Sequence, residues 1–169
     1  MSGDRITREF VIIGFMNEAK AESGLKDSSK GGLQATKRLI YCWIAFEAFT
    51  CLKYNKDFVS ERINDFCNEF QDNYDYKTMP DDFKKNLIGL MSYSIKDMRP
   101  THLDDNPINI QNSQDLRQIL NIIYRVRCNL FHGGKSPEII SDIAPLEYSS
   151  VVLFRLMEKI LISNGYLNW

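Results

Sequence analysis

The stretch LIYCWIAFEAFTCL, Leu39 to Leu52, carries one charged residue, Glu47, and otherwise sets apolar side chains on every side of a helical wheel. A helix that is apolar all round is one covered on several sides by its neighbours. The segment therefore reads as the central helix of a bundle, spanning roughly Leu33–Tyr54. It is too short for a membrane span and contains a carboxylate, so a transmembrane role is not expected.

Helical periodicity continues outward in both directions, and no segment shows sustained strand alternation. A first helix is expected over about Thr7–Glu22, with Phe10, Ile13 and Met16–Asn17 on its inner face. The Gly-, Ser- and Lys-rich connector Ser23–Gly32 follows it. A third helix is expected to begin at Asp57, a good N-cap residue, and to carry Phe58, Ile63, Phe66, Cys67 and Phe70. A fourth opens with Pro80 and the acidic pair Asp81–Asp82 at the positive end of the helix dipole, and runs to about Lys96. A polar stretch with two prolines, DMRPTHLDDNPINIQNS, separates it from a fifth helix over about Asn112–Phe131. A sixth enters near Asp142 with Pro145 in its first turn and stops at Gly165. The expected architecture is a single all-α helical bundle of about five to six helices, one domain over residues 1–169.

Hydrophobic content of 44% with 12% aromatics supports a substantial core, and the formal net charge of −1 gives no bulk argument for nucleic-acid binding. Any such site has to be a local patch. The polar start MSGDRITREF is unlike a signal peptide, which points to a cytoplasmic protein. Cys42, Cys51, Cys67 and Cys128 form no Cys-x-x-Cys pair and sit among apolar residues, as small buried hydrophobes do. With only two histidines, His102 and His132, no metal site is expected and no cofactor is implied. His102, in the long polar loop, reads as solvated, and Lys37–Arg38 as a solvated helix face. Trp43, Phe46 and Phe49 follow core spacing.

The local patch is RVRCNLFHGGK, Arg125 to Lys135, at the end of the fifth helix. On a wheel of 100° per residue, Leu116, Ile119, Leu120, Ile123, Val126 and Leu130 form the core-facing stripe, and Arg127 falls inside it. Arg125, Asn129 and His132 follow i, i+4, i+7 spacing on the opposite side. Arg127 and His132 are about 140° apart on an ideal helix, so the wheel alone does not bring them together. An arginine pointed at a core needs an anionic partner, and Glu47 in the most apolar helix needs a cationic one. A Glu47–Arg127 pair answers both requirements. A histidine near cations suits phosphodiester chemistry: the imidazole exchanges protons at neutral pH, while Arg125, Arg127 and Lys135 offset charge growing in a transition state. Asn129, one turn back, is placed to orient the imidazole or the substrate. The bland reading of the same residues is a structural ion pair and a C-terminal histidine that favours the helix dipole.

Arg127-Cys128-Asn129-Leu130-Phe131-His132 resembles the Arg-x4-6-His motif of HEPN domains. The longer stretch is similar to the branch whose motif reads Arg-Asn-x-Leu-Phe-His-Gly-Gly-Lys, and LIYCWIAFEAF to that branch's earlier Trp-Ile-Ala-Phe-x-Ala helix, with Glu47 at x. The similarity covers about Leu33–Gly165 in pattern and about twenty residues specifically. It implies metal-independent RNA cleavage, in which a 2′-hydroxyl attacks its own phosphodiester to leave a 2′,3′-cyclic phosphate and a 5′-hydroxyl. Carried over, His132 is the acid/base and Arg127 the phosphate clamp, with Asn129 and Glu47 as the polar residues that position them. Arg125 and Lys135 are the further RNA- or phosphate-binding cations. The resemblance also implies a homodimer with two motifs facing one cleft, a toxin or phage-defence setting, and an antitoxin or defence-system protein as partner. Two features depart from the pattern. Cys128 follows Arg127 directly where a polar residue is frequent, and Gly134 replaces the tyrosine that some toxin members carry as a modification site. The family also contains non-catalytic members that bind RNA or nucleotides or serve as protein-interaction modules, and that alternative stays open.

Overall fold

The computed structural model describes residues 2–23, 31–99, 106–132 and 140–169. The expected all-α bundle is what the chain forms: α1 (Ser2–Ser23), α2 (Gly31–Lys53), α3 (Val59–Phe70), α4 (Asp81–Met91), α5 (Leu116–Phe131) and α6 (Ile140–Ser163). α2 packs most extensively against α1 and α6 and also meets α3, which is why its apolar residues need no single face. Trp43, Phe46 and Phe49 are buried as their spacing indicates, and one hydrophobic cluster draws residues from all six helices. Phe46 stands edge-on to Phe66 of α3 at 5.1 Å, and Trp43 stacks on Tyr124 of α5 at 5.6 Å, so the aromatic rings tie the central helix to both neighbours. Among the described residues no helix is long and apolar enough to cross a membrane.

Several placements differ from the expected ones: Phe10, expected on the inner face of α1, is 72% exposed, and the buried residues there are Ile12, Met16 and Ala19. Asp57 does not cap α3; Phe58 holds the N-cap position with no side-chain hydrogen bond. The Arg62 guanidinium instead reaches back and donates to the carbonyls of Lys56 and Asp57 at 2.9 and 3.0 Å. α5 begins three to four residues later than expected because Asp115 is its cap, accepting from the Gln118 N–H at 3.0 Å. The Leu116 N–H, another donor without an intrahelical acceptor, is satisfied by Gln71 Oε1 at 3.0 Å. α6 starts two residues earlier than expected, which places Pro145 inside it.

The largest departure follows α4. The helix stops at Met91, not near Lys96, and the chain turns into an extended strap in which Ile95 and Ile108 exchange backbone hydrogen bonds of 2.8 and 3.0 Å. Ile95 and Ile110 are buried. The strap lies over the side of α5 that the wheel leaves outward, and that side is consequently not free surface.

The four cysteines are free; Cys42, Cys67 and Cys128 are buried and Cys51 is half-buried. Burial raises the Cys67 thiol to about 12 and pushes Cys42 up as well. Lys37 pairs with Glu22 at 3.6 Å. Arg38 is not a solvated residue: its Nε and Nη2 donate to Ser150 Oγ of α6 at 2.9 and 2.7 Å.

Candidate active site

The expected Glu47–Arg127 pair forms. Arg127 Nη2 lies 3.7 Å from Glu47 Oε1, with the two side chains 27% and 33% exposed. The pair is therefore half-buried and not enclosed in the core. The same carboxylate oxygen accepts a 2.5 Å hydrogen bond from Trp43 Nε1, one turn earlier on α2. Glu47 Oε1 is thus hydrogen-bonded to the indole, while Arg127 stands within ion-pair distance of it but beyond hydrogen-bond reach. Arg127 Nε is buried without an acceptor among the described residues.

Aromatic faces complete the setting of Arg127. Its Cζ stands 5.8 Å from the Trp43 ring and 4.5 Å from the Phe131 ring, within the range at which a guanidinium is attracted to a ring face. Trp43 is buried, while Phe131 is 54% exposed. Beyond Trp43 the row continues through Tyr124 to Arg99, whose Cζ is 5.7 Å from the Tyr124 ring. Burial raises the Tyr124 hydroxyl, and the neighbouring Cys128 raises it further. The arginine is thus held in place by an acid and two rings, with its hydrogen-bonding capacity largely unused.

His132 is the C-cap of α5, exposed, with its backbone N–H donating to the Cys128 carbonyl at 3.0 Å. It follows Arg127 by five residues, about 7.5 Å along the helix axis. No described residue hydrogen-bonds to its imidazole. Gly133, Gly134, Lys135 and His102 lie outside the described residues.

Asn129 and Arg125 do share a face of α5, as their spacing requires, but the strap covers it. Asn129 is fully buried; its Oδ1 accepts from the Met98 N–H at 2.8 Å and its Nδ2 donates to the Lys96 carbonyl at 2.7 Å. Both ends of the amide are committed to the strap backbone, a geometry that replaces the expected role of orienting the imidazole or substrate. Arg125 Nη1 donates to the Asn106 carbonyl at 3.0 Å, and its Nε lies 3.7 Å from Asp97 Oδ2. It is a tether of the strap and not a free phosphate-binding cation.

Asp97 and Arg99 are the residues that sequence reasoning missed. The Asp97 side chain is fully buried and accepts from Arg99 Nε at 3.0 Å and Nη2 at 2.6 Å, a fork-to-carboxylate contact. These bonds hold the Asp97 carboxyl down at about 2 and push Arg99 up. The available signal was weak: Ile108 and Ile110 alternate with polar residues in an otherwise polar loop, the mark of a short extended segment with one buried side. Among the described residues no group of three or more His, Cys, Asp or Glu side chains is placed to hold a metal ion.

No protein-family model matches the chain, and neither the curated proteins nor the solved structures yield a match.

Proposed function

We propose that the protein is a metal-independent endoribonuclease of the HEPN type. The observation that carries this reading is Arg127: a guanidinium fixed by Glu47 and two aromatic rings, its hydrogen-bonding capacity largely unspent, five residues before an exposed histidine on the same helix. In the reaction the RNA 2′-oxygen forms a bond to the adjacent phosphorus as the bond from phosphorus to O5′ breaks. The proton leaves the 2′-hydroxyl and one is returned to O5′, an exchange assigned to the His132 imidazole. Arg127 offsets the charge that grows on the non-bridging oxygens. The products are a 2′,3′-cyclic phosphate and a 5′-hydroxyl. Glu47 acts on Arg127, and Asn129 acts on the strap. In the homodimer that the resemblance implies, the exposed end of α5 meets its counterpart and two His132 residues face one groove. The setting proposed is a cytoplasmic toxin or phage-defence system in which an antitoxin or defence protein is the partner.

One observation favours the alternative, a non-catalytic HEPN-type module that binds RNA, nucleotides or another protein: Asn129 and Arg125, the polar residues expected beside the histidine, are committed to the strap. Incubation of the purified protein with mixed RNAs in excess EDTA separates the readings. Cleavage to cyclic-phosphate ends by the wild type, lost in His132→Ala, is the expected result. Cleavage that persists in the mutant or disappears on chelation rejects the mechanism. RNA binding without turnover in either protein favours the module.

A further inference from the structure

We infer that Phe131 is the face on which the nucleobase beside the scissile phosphate stacks. The assignment rests on the ribonuclease reading of the same site. A phenylalanine is expected to turn inward, yet Phe131 is 54% exposed at the last position of α5, immediately before His132. It is not loose: the Arg127 guanidinium lies 4.5 Å from its ring centre and pins the ring from one side. Arg127 is itself backed by the buried Trp43 ring at 5.8 Å, so the order across the site is buried indole, guanidinium, exposed phenyl. A base and the phosphate of its own nucleotide are joined through one ribose, so a protein that grips both must offer its cation and its ring side by side. Arg127 and Phe131, four residues apart on one helix, do so. Every base has a π-face, so a phenyl ring here favours an unpaired base without choosing among the four.

The test uses a short, fluorescently labelled 2′-O-methyl strand, which cannot be cleaved by 2′-hydroxyl attack, and its abasic counterpart. Binding is measured by anisotropy for wild type, Phe131→Leu, Phe131→Trp and Arg127→Gln. Leucine keeps the residue apolar and the helix intact. Phe131→Leu should bind the strand about 5- to 150-fold more weakly, the range of one lost base stack, and Phe131→Trp should restore binding. The loss should vanish on the abasic strand. The slope of log affinity against log salt should be unchanged in Phe131→Leu but smaller by about 0.7 in Arg127→Gln, as expected for one phosphate contact on a single strand. His132-dependent cleavage with unaltered binding by Phe131→Leu leaves the ribonuclease reading standing and overturns the stacking assignment. A Phe131→Leu protein that binds RNA normally but no longer self-associates assigns the ring to a protein contact and also overturns it. Failure of the wild type to bind any strand overturns both readings together.

Discussion

One oxygen of Glu47 serves two residues: Oε1 accepts from Trp43 Nε1 at 2.5 Å and faces Arg127 Nη2 at 3.7 Å. Its hydrogen bond is to the indole and its charge acts on the arginine, so the two contributions are separable. Glu47→Gln keeps an acceptor for Trp43 and removes the charge. It should lower RNA turnover about tenfold while changing unfolding free energy by less than about 1 kcal/mol, the scale of a partly exposed ion pair. Glu47→Ala should lower both. Steady-state kinetics and urea titration of the two variants provide the check, and equal stability losses with unchanged turnover would mark the pair as structural.

Arg127→Lys keeps the positive charge but not the planar group that lies against Trp43 and Phe131. Lysine is a point charge with no ring-stacking geometry, so turnover should fall about 10- to 100-fold with little change in overall stability. Retention of full activity would show that charge alone suffices at this position.

Asn129→Ala leaves the Met98 N–H and the Lys96 carbonyl unpaired beneath the strap. The expected cost is about 2–3 kcal/mol of stability, from two lost hydrogen bonds and the groups stranded by their loss. Hydrogen exchange at the Met98 amide should accelerate. Turnover by the protein that remains folded should change less than in His132→Ala; normal stability with abolished turnover would return Asn129 to the reaction.

Asp97 sets an acid limit on the strap. Its carboxyl is lowered from 3.8 to about 2, first by the hydrogen bonds from Arg99. A depressed carboxyl contributes stability that is present above its unfolded value and lost as pH falls toward the folded one. About 2 kcal/mol should therefore disappear between about pH 4 and about pH 2. Unfolding titrations of wild type and Asp97→Asn should converge by that amount over this window, and a constant difference would contradict the linkage.

Gly89 of α4 faces Tyr148 of α6. A Cβ added there would meet the tyrosine ring at 2.7–2.9 Å. Gly89→Ala should destabilise the protein by about 1–2 kcal/mol, because the clash outweighs the gain in helix propensity. In a Tyr148→Ala background the sign should reverse to a gain of about 0.5–1 kcal/mol. Thermal unfolding of the four proteins in this cycle decides it.

The parts of the fold legible in the sequence were those fixed by one helix's own periodicity. The central position of α2 and the buried Trp43, Phe46 and Phe49 follow from an apolar run with one charge. The Glu47–Arg127 pair follows from the cost of leaving either charge unmatched in apolar surroundings. The outer face of α5 was not legible in the same way. A wheel describes the helix alone, and what covers Arg125 and Asn129 comes from a non-helical segment about thirty residues earlier, held by backbone groups common to every residue. The end of α4 was misplaced for the same reason: Tyr93 to Lys96 suit a helix, but Ile95 is drawn into pairing with Ile108. Asp57 looked like a cap because of its residue type, while the loop before α3 is organised by Arg62.

Trp43 gives the site an optical readout. The protein has two tryptophans. Trp169, 39% exposed, stacks on Phe154, whereas Trp43 is buried with its indole N–H on Glu47 and its ring against the Arg127 guanidinium. With Trp169 replaced by phenylalanine, emission comes from one indole in contact with the proposed phosphate clamp. Anything that draws Arg127 toward an anion alters the charge beside that ring, so an unlabelled ligand can be followed by intrinsic fluorescence before its chemistry is known.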